Sequence, residues 1–125
     1  MTRATAYDRH PDHTLHFDDQ PASLCVSLGD RVIAETRRGL NLREGRYPAV
    51  VYVPREDVQM SALERGDHTT HCPFKGDATY FDFRDEERAI AEIAWSYEDP
   101  YEQMHAIPGH LAFYPDRVTL TPLED

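Results

Sequence analysis

Ala89-Ile90-Ala91-Glu92-Ile93-Ala94-Trp95-Ser96-Tyr97 (residues 89–97) is the stretch on which two folds part. Ala89 to Ala94 have the composition of a helix, yet Ala91, Ile93, Trp95 and Tyr97 alternate with Glu92, Ala94 and Ser96. A period of two puts those apolar side chains on one face of a strand, and the stretch is read as a strand. Without it the chain has no helix long enough for the repeated crossovers of a parallel α/β fold. The expected fold is therefore antiparallel and mainly β, with two or three short helices.

Working outward, Thr79, Phe81 and Phe83 alternate with Tyr80 and Asp82 as a second strand, closed by the charged turn from Arg84 to Arg88. Downstream, Asp99-Pro100-Tyr101-Glu102 has the pattern of a helix N-cap, with Pro108-Gly109 as its stop, before strands at Leu111–Tyr114 and Val118–Leu120. Upstream, Ala49–Val53 is apolar on both faces and reads as a central strand stopped by Pro54. Arg55-Glu56-Asp57 then opens a short helix with acids in its first turn and Gly66 as its end. Leu24, Val26 and Leu28 form a strand turned at Gly29-Asp30 into Arg31–Ala34. Residues 36–47, rich in arginine and glycine, read as a mobile or short-helical connection. Residues 1–20 form a polar arm in which His10, His13 and His16 sit around Pro11 with no apolar stripe, a fortuitous cluster rather than a metal site.

A chain of 125 residues fits one domain, 1–125, with a core that needs neither disulfide nor metal. Its formal charge of −10 opposes phosphate backbones and anionic headgroups, so nucleic acid and membrane surfaces are poor partners. No apolar run approaches spanning length and the first residues lack an apolar signal core, which predicts a cytoplasmic protein. Cys25 and Cys72 are too few for a disulfide framework and lack Cys-x-x-Cys pairing, so both are expected as reduced thiols, with no metal and no cofactor.

Chemical density peaks in Asp67-His68-Thr69-Thr70-His71-Cys72-Pro73-Phe74-Lys75-Gly76-Asp77. Cys72, next to His71 and close to Lys75, the only lysine, has the neighbours that favour thiolate over thiol. The plain alternative is a polar loop whose Cys-Pro and Lys-Gly steps turn the chain into the next strand.

Tyr47–Val58, Thr70–Gly76, Ala94–Tyr97 and Leu111–Tyr114 occur in an order that resembles the family called domain of unknown function 427, over roughly residues 20 to 120. That family is mostly bacterial and sometimes labelled nucleotidyltransferase-like. The resemblance implies a β-tent architecture, two antiparallel sheets meeting over a groove. Many relatives with that architecture carry paired Cys-x-x-Cys knuckles for zinc, and their lack here implies loss of that metal site. The sequence also has neither a glycine-rich phosphate loop nor the Asp-x-Asp pair that commonly holds magnesium.

These motifs supply a candidate pocket. Tyr52, Trp95 and Tyr97 are its aromatic walls, Arg55 and Lys75 its cations, and His71 with Cys72 its entrance, with Asp57 and Thr70 as further ligand-binding candidates. Taken singly, each residue also has a bland reading as core, ion-pair partner or loop satisfier. The first functional expectation is a domain binding a small molecule, anionic or nucleobase-like. The second is an enzyme in which Cys72 attacks, His71 moves the proton and Lys75 stabilises negative charge; the third is a protein-interaction domain.

Overall fold

The computed structural model describes residues 2–123. Strands β1 (Leu15–Phe17), β2 (Ala22–Leu28), β3 (Arg31–Glu44) and β4 (Val50–Tyr52) belong to a first antiparallel sheet. Strands β5 (Leu63–Cys72), β6 (Gly76–Arg84), β7 (Ala89–Tyr97) and β8 (Leu111–Phe113) form a second in sequence order, and β9 (Thr119–Pro122) returns to the first beside β2. The sheets meet where Val53 and Leu111 exchange backbone hydrogen bonds of 2.7 and 2.9 Å. The fold is thus mainly β, two antiparallel sheets with few short helices, as the sequence predicts.

Residues 89–97 are a strand, paired with β6 through Trp95 and Tyr80, but without the single buried face that their alternation predicts. Ile93, Ala94, Ser96 and Tyr97 are buried and Ala91 is exposed, because the ladder shifts register beside Glu92, which has φ +51°. The β2–β3 hairpin turns at Gly29-Asp30, with Leu28 opposite Arg31.

Other segments depart from expectation. Residues 36–47 are largely strand, because β3 runs on to Glu44 and pairs twice, with β2 along its first part and with β1 and β4 beyond Leu40. Arg37, Arg38 and Arg43 are exposed on it, and its glycine is a matter of close approach: a Cβ on Gly39 would lie 2.7 Å from Val51 Cγ1. The helix expected after Pro54 is two 3-10 turns, Arg55–Asp57 and Met60–Ala62, and Gly66 lies inside β5 rather than at a helix end. That strand escapes a hydrophobic reading because most of its residues are exposed and its ladder to β6, not burial, holds it. The helix expected from Asp99 is one 3-10 turn, Glu102–Met104, since the chain there follows the burial of Met104 and Ile107. The N-terminal arm is structured in turn, with a one-turn helix α1 (Ala6–Arg9), strand β1 and a buried Ala4.

Two apolar clusters fill the interior. One gathers Val26, Ile33, Phe83, Ile93 and Leu111 between the sheets. The other joins Leu42, Tyr52, Tyr97, Met104 and Ile107, with Cys72, Tyr80 and Trp95 packed against it. Among the described residues no helix is long and apolar enough to cross a membrane.

Candidate ligand-binding site

A cavity of about 260 Å³ opens beside the second cluster. Its position follows from register. Tyr80 and Trp95 are cross-strand partners on β6 and β7, so both rings project to one face, and Tyr52 at the end of β4 meets them from the other sheet. The Trp95 indole N–H donates to the Tyr52 hydroxyl at 3.3 Å, with the two rings edge to face at 88°. Tyr114, just past β8, packs on Trp95 with ring centroids 4.6 Å apart. Tyr97 and the loop residues Tyr47 and Pro48 complete the aromatic wall.

The polar end is an ion pair. Lys75, only 12% exposed at its side chain, donates to Glu44 Oε1 at 2.6 Å. The other carboxylate oxygen, Oε2, lies 2.8 Å from His13 Nε2, and the His13 ring stacks on Phe74 at 3.7 Å. Burial alone would raise the Glu44 carboxyl, but the hydrogen bonds and charges of Lys75 and His13 outweigh it and hold the group below its ordinary value. Glu44 is therefore a carboxylate at neutral pH, and the Lys75 charge is matched inside the cavity. Burial pushes the Tyr52 phenol up to about 12. It also raises Tyr114, assisted by Tyr80, to about 12. Tyr97 is raised too, by burial first and then by Tyr52. All three remain protonated hydroxyls, able to donate and to accept.

Of the residues singled out in the sequence, Tyr52, Lys75, Trp95 and Tyr97 line this one cavity. Thr70 stands behind it, its hydroxyl 2.8 Å from the Tyr80 hydroxyl. Arg55 lies elsewhere: it clasps both oxygens of Glu98 at 2.7 and 2.8 Å and donates through Nε to the Gly109 carbonyl, tying the end of β7 to the loop before β8. Asp57 likewise accepts from Arg38 and from the Thr36 hydroxyl, and those bonds, Arg38 first, lower its carboxyl.

His71 and Cys72 are the last two residues of β5, and adjacent strand residues face opposite ways. His71 is turned outward onto Asp77 at 2.7 Å and against the Tyr101 ring, whereas Cys72 packs on the second cluster. The dense segment is thus a hairpin and not an open loop. Pro73, Phe74 and Lys75 make its turn, and Gly76 follows at φ +118°, a conformation that suits glycine because a Cβ would also press on Pro100.

Glu44, Tyr47, Tyr80, Tyr114 and His13 are cavity or cavity-edge residues that sequence reasoning did not single out. Tyr47 and Tyr114 stood at the ends of ordered motifs, and Tyr80 follows from the hairpin register once Trp95 is chosen. Glu44 gave no signal, being one acid within an apparent connection. Both cysteines are free thiols. Among the described residues no group of three or more His, Cys, Asp or Glu is placed to share a metal ion.

Fold and cavity together define a small two-sheet β domain with an aromatic recess beside a half-buried ion pair. The chain belongs to the family described as a domain of unknown function, DUF427, whose model, labelled NTP_transf_9, matches residues 16–122. No curated protein matches the sequence.

Proposed function

We propose that this DUF427 domain binds a small, planar, neutral heteroaromatic molecule of nucleobase size. The observation that carries the reading is the convergence of Tyr52, Tyr80, Trp95, Tyr97 and Tyr114 on one cavity whose only polar extreme is the paired Glu44 and Lys75. Aromatic faces favour a flat ring, and protonated phenols beside a matched ion pair offer donors and acceptors at fixed points. An anion would have to compete with Glu44 for Lys75, which disfavours the anionic alternative. At about 260 Å³ the space falls just below the roughly 300–1,000 Å³ usual for ligand pockets, which suits a free base better than a nucleotide. The chain's charge of −10 argues against an extended polyanion.

The second reading, attack by Cys72 with His71 and Lys75 assisting, has no specific observation in its favour. His71 faces Asp77 on the outer side of the strand and Lys75 is held by Glu44.

Trp95 is the only tryptophan of the chain and lines the cavity, so its fluorescence reports on this site. Titration with adenine, guanine, cytosine, uracil and benzoate should give a saturable change with at least one base and none with benzoate. Tyr80→Ala should weaken the response of that base at least tenfold while keeping the melting cooperative. No saturable change with any base would remove the reading.

A further inference from the structure

A second cavity, of about 390 Å³, shares Tyr47, Pro48, Val50 and Trp95 with the first. Its remaining walls are Leu24, Ala49, Val51, Phe113, Pro115 and Leu120, with no charged side chain among them. The sequence of polarity is therefore ordered. Glu44 and Lys75 stand at one end, Trp95 and the Tyr47-Pro48 loop in the middle, and aliphatic side chains from β2, β4 and β9 at the other. Gly45, at φ +52°, begins the connection that carries Tyr47 and Pro48 between β3 and β4, and Tyr47 is 73% exposed.

We infer that the two chambers are one bipartite site, and that its ligand carries an apolar arm, alkyl or alkenyl, on the planar polar head. This rests on the nucleobase-sized reading of the first chamber. Adjacency supports it, because Tyr47, Pro48, Val50 and Trp95 line both chambers, so a ring held against Trp95 in the first lies next to the second. Chemistry supports it as well, since an uncharged chamber offers an arm nothing but removal from water. A second copy of the chain is a poorer occupant. Stable protein interfaces bury about 800 Å² per partner around an apolar centre, yet among the described residues the exposed large hydrophobic side chains are Val32 and Tyr47, and only Tyr47 borders the chamber.

Adenine and N6-hexyladenine are the probes, titrated against Trp95 fluorescence in the whole chain. The hexyl compound should bind at least about tenfold more tightly, a conservative share of the roughly fourfold that each fully buried methylene contributes. Ala49→Phe and Leu120→Phe, which fill the second chamber from two different elements, should each remove that gain and leave adenine affinity within about twofold, with unchanged melting cooperativity checking the fold. Adenine binding with no gain from the hexyl arm overturns this inference alone, as does a gain that survives in both variants. Failure of both probes to bind overturns it together with the nucleobase reading. A dimer in sedimentation velocity that Ala49→Phe disperses would assign the chamber to a second copy and overturn it too.

Discussion

Where Ile33, Phe83, Ile93 and Leu111 meet, the interior is aliphatic and aromatic carbon alone, with each of these side chains fully buried. Around Tyr52 and Tyr97 it is different: two buried tyrosines pack with Leu42, Met104 and Ile107, and this cluster borders a cavity. A buried hydroxyl costs free energy unless it has a partner. Tyr52 has one in the Trp95 indole, and among the described residues no buried side-chain polar atom lacks one. The first region spends its side chains on packing. The second keeps hydrogen-bonding capacity next to open space, so there stability and binding can be separated by substitution, whereas in the first they cannot.

The most forceful way to break that contrast is Phe83→Ala. The ring is fully buried, with Arg31 and Arg88 lying over it at 5.8 and 5.5 Å. The expected loss is about 3–5 kcal/mol in denaturant titration, the usual cost of emptying an aromatic core site. A loss below about 1 kcal/mol would mean that this cluster does not hold the sheets together.

Tyr52→Phe sharpens the contrast from the other side. It removes only the oxygen that accepts from Trp95, so stability should fall by about 0.5–1.5 kcal/mol. The Trp95 emission should shift as its indole N–H loses that partner. A loss as large as that of Phe83→Ala would erase the distinction between the two regions.

The smallest effect is one of pH. Because folding holds the Glu44 carboxyl below its ordinary 4.5, the unfolded chain takes up that proton first. The stabilisation from Lys75 and His13 is complete above the ordinary value and is lost as pH falls below it through the lowered one. Denaturation midpoints followed from about pH 7 to about pH 3 should therefore fall less steeply for Glu44→Gln than for the natural chain. Equal slopes would show that the pair contributes nothing to folding.

What the sequence determined is whatever burial writes as alternation. Leu24–Leu28 and Thr79–Phe83 bury alternate residues, and Val50–Tyr52 and Ala91–Tyr97 are short, mostly apolar runs, so their strand character, and with it a mainly β fold, could be read directly. The aromatic members of the cavity, Tyr52, Trp95 and Tyr97, were visible for the same reason, being large residues in ordered strand motifs. Only the tertiary structure decided β5 and the second part of β3, because strands that are polar on their exposed face are specified by ladder partners far away in the chain. It also decided which cation meets the cavity. Arg55 and Lys75 look alike in a sequence, but Glu98 and the Gly109 carbonyl draw the first away, and a glutamate thirty-one positions upstream draws the second in. Charge partners are chosen by where chain segments cross, and no local pattern records that crossing.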